Sequence, residues 1–138
     1  MATSHGLRKA YDLWLAPTGL NQYEASVLVL LHEDGPLIQS DVARRIGMQR
    51  PAAGGVIDRL EAMHLLERRP DPSDRRVWQL VLLPAARPVV AQVREIDEQL
   101  RAALRQGISK EQRRQLAATL EQLRVNLANA MQQGASGA

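Results

Sequence analysis

The stretch from residue 39 to residue 82 limits the possible folds of this chain more than any other. A short helical pattern at about 39–46, with Val42, Ala43 and Ile46 apolar, stops at Gly47. A second opens at Pro51, a residue suited to a first helical turn because its missing N–H has no partner there anyway. Val56, Ile57, Leu60 and Met63 form its apolar face. Only Gly47 to Arg50 lie between the two, so the pair reads as a helix-turn-helix. After Leu65-Leu66 the period changes. Glu67-Arg68-Arg69 and Val77-Trp78-Gln79-Leu80-Val81-Leu82 read as strands around Pro70-Asp71-Pro72-Ser73-Asp74, whose prolines and aspartates demand a loop. A β-hairpin directly after a helix-turn-helix is a wing, and this one carries Arg75 and Arg76 at its tip.

Helices are expected on both sides of this unit. Residues 4–16 place Leu7, Ala10, Tyr11 and Trp14 on one face, with Ser4 as the expected cap, and Pro17-Thr18-Gly19 breaks the pattern. Asn21 and Glu24 have the side chains of a capping box, Val27, Leu28, Leu30 and Leu31 follow as a buried face, and Asp34-Gly35-Pro36 ends the helix. Residues 85–106 hold Val89, Val90, Val93, Ile96, Leu100 and Leu104 at helical spacing. Ser109 with Gln112 repeats the capping box, and Leu116, Leu120, Leu123 and Leu127 recur as a stripe. The polar, small-residue tail from Gln132 is expected to fray. The expected architecture is mainly α with a small β-wing, a single domain over 1–138 with the winged helix-turn-helix at 34–83. The helices at 1–20 and 84–131 carry more apolar surface than a winged helix covers, and their length favours dimerisation over the alternative that they fold back on the domain.

Composition serves mainly to exclude. An apolar share of 45% with 24% charged residues is ordinary for a globular protein. The longest apolar run, Val27 to Leu31, is far below the roughly 18 residues of a membrane span. No signal-peptide pattern opens the chain, so a cytoplasmic protein with no membrane partner is expected. Cysteine is absent, which removes disulfides, thiolate nucleophiles and cysteine metal sites together. His5, His32 and His64 have no ligand spacing, and no phosphate loop or nucleophile motif occurs. No metal, cofactor, catalytic residue or enzymatic activity is expected. Of 18 basic residues only Lys9 and Lys110 are lysine. Arginine grips phosphate and guanine edges bidentately, although the codon usage of a GC-rich genome gives the same bias, so position must decide.

Asp58-Arg59-Leu60-Glu61, then Leu65-Leu66-Glu67-Arg68-Arg69-Pro70-Asp71-Pro72-Ser73-Asp74-Arg75-Arg76, together with Val42-Ala43 and Ile46-Gly47, resembles the MarR family of bacterial transcription regulators. The resemblance extends from Leu7 to Leu127. It implies a homodimer with interlocked terminal helices, each winged helix reading half of a palindromic operator in double-stranded DNA. It also implies a small-molecule effector bound where the first two helices meet the winged domain and the fifth helix. The expected function is a homodimeric, sequence-specific DNA-binding regulator, a repressor relieved by a small aromatic or phenolic ligand. Three departures stand out. Pro51-Ala52-Ala53-Gly54-Gly55 replaces the Ser and Thr residues usual at the start of the recognition helix. That segment sustains an alternative, a winged-helix protein-interaction module that no longer binds DNA. His64 replaces a Gly, which calls for a left-handed conformation, and Leu83-Pro84-Ala85-Ala86 replaces the usual Thr and Gly.

Candidate DNA-binding residues follow from position. Arg76 at the wing tip suits the minor groove, where a guanidinium reads width and potential. Asp74 resembles the family's partner that holds it. Arg68, Arg69 and Arg75 are expected phosphate contacts, one of them only structural. Arg50 suits guanine and Gln49 adenine at the mouth of the recognition helix. Ser40 suits either a phosphate contact or a helix cap. Tyr11, Trp14 and Tyr23 are three of only four aromatic residues. With His32 they suit either stacking on a small ligand or ordinary core packing.

Overall fold

The computed structural model describes residues 2–137. Helix α1 (Ala2–Leu15) runs into a 3-10 turn at Ala16–Thr18, and α2 (Gln22–Asp34) follows. Since α1 begins at Ala2, Ser4 lies inside the first turn and does not cap the helix from outside. The Asn21 box closes as its spacing predicts: Asn21 Oδ1 accepts from the Glu24 N–H at 2.9 Å, and Glu24 Oε1 accepts from the Asn21 N–H at 2.8 Å. At the other end of α2 a side chain on Gly35 would place its Cβ 2.4 Å from the Leu31 carbonyl oxygen, so glycine is required there.

The winged part contains a strand that the sequence reading lacks. Strand β1 (Leu37–Ile38) precedes α3 (Gln39–Ile46) and α4 (Arg50–Ala62), and β2 (Leu66–Pro70) and β3 (Trp78–Leu82) form the hairpin. The sheet is antiparallel in the order β1-β3-β2, with Leu37 opposite Leu80 and Leu66 opposite Leu82. Gly47 ends α3 in the left-handed conformation at φ 72°. His64 also takes positive φ, 58°, in the turn from α4 into β2. The fold is a mainly helical winged helix, as the element order predicts.

Helix α5 spans Ala86–Arg105 and α6 spans Lys110–Ser136. The tail expected to fray from Gln132 is helical as far as Ser136. Gly134 costs a helix about 1 kcal/mol but does not break it. The chain divides into two compact units, one ending at Arg101 and one beginning at Ala102. In the first, Leu28, Val42, Ile57, Leu60, Leu66, Leu80 and Val90 are fully or almost fully buried and knit α2, α3, α4, α5 and the sheet around one core. In the second, α6 buries no residue among those described, and Ser109 and Gln112 form its capping box.

Candidate functional site

The exposed end of α4 is unusually bare. Gln49 is its N-cap residue and makes no side-chain capping bond, and Arg50 is the first helical residue; both are exposed. Pro51 and Ala52 are exposed, whereas Ala53 is fully buried against the core. A Cβ on Gly55 would meet nothing and one on Gly54 only the Gln39 side chain at 3.9 Å, so internal packing requires neither glycine. The first N–H groups of α4 therefore face outward behind a surface with few side-chain atoms, the positive end of the helix dipole.

Hydrogen bonds hold the wing tip in shape. Asp71 Oδ1 accepts from the Ser73 N–H at 2.8 Å, the Ser73 hydroxyl at 2.6 Å and the Asp74 N–H at 3.2 Å, while Oδ2 accepts from Gln79. These donors, the Ser73 hydroxyl first, hold the Asp71 carboxyl below its ordinary pKa. Asp74 grips Arg76 with both oxygens, at 3.1 Å to Nε and 3.2 Å to Nη2, and also accepts from the Arg76 N–H. The Arg76 bonds, side chain before backbone, hold Asp74 low as well. The Arg76 side chain is nonetheless 90% exposed, a guanidinium oriented from behind and open in front.

The other sequence candidates separate by strand alternation. Arg68 points inward: Nε donates to Gln39, Nη1 lies 3.0 Å from Glu61 and Nη2 2.6 Å from Asp58. It ties β2 to α3 and α4, so its expected phosphate contact gives way to a structural role. Arg69 is on the outer face beside Glu67, and Arg75 is exposed in the turn. Ser40 does not cap α3, because Ile38 is the N-cap residue and Ser40 is already helical.

A cavity of about 1030 Å³ lies on another side of the first unit. Arg8, Tyr11 and Leu15 of α1, Tyr23 and Ser26 of α2, and Asp97 and Arg101 of α5 are among its lining. The Tyr11 hydroxyl donates to Asp97 at 2.9 Å, and Arg101 pairs with the same carboxylate at 2.8 Å. Burial first, and then the bond to Asp97, raises the Tyr11 hydroxyl above its ordinary pKa, so it remains a donor. Arg94 pairs with Glu33, whereas Arg8 stacks over the Tyr23 ring at 5.5 Å and has no carboxylate partner among the described residues. Of the four ligand candidates, Tyr11 and Tyr23 line the cavity. Trp14 and His32 are exposed and do not line it, because the α1 lining runs along Arg8, Tyr11 and Leu15.

One pair escapes sequence reading. Glu24 is 1% exposed, and its Oε1 accepts from Arg59 at 2.7 Å as well as from the cap. Arg59 also donates to the Gly19 carbonyl, so the far end of α4 is fastened to the start of α2. The capping spacing reveals Glu24, but only the fold brings Arg59 to it from 35 residues away.

Comparison with known proteins gives consistent matches. The MarR family model matches residues 20–78. The repressor CouR bound to a 23-mer DNA duplex superimposes with a TM-score of 0.81 at 25% identity, over 88% of this chain and 87% of that one. CouR from Rhodococcus jostii RHA1 bound to p-coumaroyl-CoA gives 0.77 at 28% identity, over 88% and 86%. The S. aureus MepR–DNA complex gives 0.84 at 23% identity, over 91% and 93%, a likeness of fold. Among the described residues no helix is long and apolar enough to cross a membrane.

Proposed function

The chain belongs to the MarR family, whose members are transcriptional regulators rather than enzymes, and from that premise we propose a homodimeric, DNA-binding repressor released by a small aromatic ligand. The observation that carries the DNA reading is the wing tip. Arg76 is clamped by Asp74, aimed outward, and sits on the hairpin that follows the bare N-terminus of α4. In this reading Arg76 enters the minor groove, Arg69 and Arg75 contact phosphates, and Arg50 with Gln49 reads bases in the major groove. Ser40 is one further phosphate contact, through its hydroxyl. The paired recognition units of a palindromic operator call for a dimer, and the exposed leucine stripe of α6 supports one.

The ligand reading rests on the cavity. Tyr11 and Tyr23 offer aromatic faces, and Arg8 offers a guanidinium not neutralised by a carboxylate. That chemistry suits an aromatic compound with an anionic group, and a similar fold holding p-coumaroyl-CoA in CouR supports it. Because Trp14 is off the cavity, the ligand is expected to act on DNA affinity without direct contact to that ring.

Binding titrations over a range of salt test the division of labour. Arg76→Ala should weaken operator and mixed-sequence duplex alike and flatten the log–log salt slope by up to about one unit per subunit. Arg50→Ala should cost about 1–3 kcal/mol per half-site on operator and less on mixed sequence. If neither changed affinity, the wing would be a protein-interaction surface and the repressor reading would be lost.

A further inference from the structure

Trp78 opens β3 at 48% exposure, a large indole with no place in the core. The register shows which face it shares. Leu66, Arg68 and Pro70 of β2 stand opposite Leu82, Leu80 and Trp78 of β3. Leu66 and Leu80 are fully buried, and Arg68 on the same face reaches Gln39, Asp58 and Glu61 of α3 and α4. Trp78 therefore lies on the wing's inner face, one pleat beyond the last core residue, on the side of the sheet that carries the helix-turn-helix. It is also two residues from the clamped Arg76.

The hairpin indicates what covers this ring. Its carboxylates are engaged: Glu67 with Arg69, Asp71 with Ser73 and Gln79, Asp74 with Arg76. Arg75 forms no ion pair among the described residues, and the Arg76 guanidinium is open in front. An exposed apolar ring two and three residues along the chain from the outward Arg76 and Arg75, on a hairpin whose carboxylates are engaged, matches a polyanion with apolar sugar edges between its charges. We propose that Trp78 is a DNA contact, its ring packing on the deoxyribose edge of the strand held between wing and α4 and its indole N–H donating to a phosphate. The inference rests on the DNA-binding reading and adds a salt-independent contact to it. Apolar packing releases no counterions, whereas an arginine–phosphate contact does.

Trp14→Phe leaves Trp78 as the single tryptophan and reports on it directly. Saturation with a mixed-sequence duplex should shift its emission to the blue and protect it from acrylamide. Trp78→Ala should weaken duplex binding about tenfold at an unchanged salt slope, and Trp78→Phe should keep most of the affinity. Sedimentation of each variant checks that the fold and assembly persist. Unchanged emission and quenching at saturation would overturn the proposal while the DNA reading stood. So would a flattened salt slope in Trp78→Ala, which would mean the ring only props Arg76. A native chain that bound no duplex would remove both readings together.

Discussion

Helices α2 and α6 begin with the same device and end in opposite circumstances. Asn21 with Glu24 and Ser109 with Gln112 each close a capping box. Behind the first, α2 buries Glu24, Ala25, Val27, Leu28 and Leu31. Behind the second, 27 residues of α6 bury nothing, and Leu116, Leu120, Leu123, Leu127 and Met131 are all exposed. A cap is local chemistry, complete within four residues. Burial needs a second surface, and most helical stability in proteins comes from that surface. The two helices thus separate what a helix contributes by itself from what its neighbours contribute, and α6 is the one whose apolar stripe stays exposed.

The largest expected effect tests that difference directly. Leu120→Asp with Leu123→Asp should convert a dimer, seen by sedimentation at micromolar concentration, into a monomer. A charge on a stripe that merely faced water would leave the mass unchanged, so a surviving dimer would show that α6 is not its interface. The winged part should remain folded in the monomer, because its core contains no residue of α6.

The caps and the wing were legible in the sequence because their partners are two to four residues apart. Asn21–Glu24, Ser109–Gln112 and the Asp71–Ser73 turn all fall within that reach, whereas the Asp74–Arg76 clamp and the left-handed His64 were legible only through the family resemblance. Strand β1 was not. Leu37–Ile38 is too short to show a period and exists only because β3 lies beside it some forty residues later. Distance along the chain also hid the role of Arg59. Arg68 and Arg69 look alike as letters, yet one faces α4 and the other solvent, since neighbouring residues of a strand point to opposite faces. Trp14 and His32 lie off the cavity that Tyr11 and Tyr23 line for a related reason: nearness in sequence, or a similar chemistry, does not put side chains in one cavity.

A smaller effect is expected inside α2. Arg59→Ala leaves the Glu24 carboxylate buried without its counter-charge, and its second oxygen already lacks a hydrogen-bond partner in the structure. The loss should be about 2–3 kcal/mol by urea unfolding, toward the low end because Arg59 is 55% exposed and water can partly replace it. Adding Glu24→Gln to Arg59→Ala should recover part of that loss, a non-additivity that marks direct coupling. Ser109→Ala, which breaks only a cap, should cost about 1 kcal/mol. Additive behaviour of Glu24 and Arg59 would put the two helices on equal terms and weaken the contrast between them.

The smallest expected effect compares how the two units hold their surface carboxylates. Glu121 of α6 is held below its ordinary pKa by the hydrogen bond and charge of Arg124, one turn away. Asp71 of the wing is held low chiefly by the Ser73 hydroxyl and N–H, neutral donors. Molar salt screens charge and leaves neutral hydrogen bonds largely intact. Side-chain carboxyl titration by NMR should therefore show Glu121 rising toward its ordinary value as salt is added, while Asp71 remains low. Asp74 should fall between them, because Arg76 supplies both a charge and a backbone N–H. Arg76→Ala should raise Asp74 and leave Asp71 in place. All three carboxyls are depressed, so each favours its local structure above the ordinary carboxylate pKa, and that contribution disappears as pH falls through the lowered one. In acid and high salt together the Glu121–Arg124 pair should be lost before the Asp71 turn. The reverse order would mean that charge, and not the fixed donors of the loop, sets the shape of the wing.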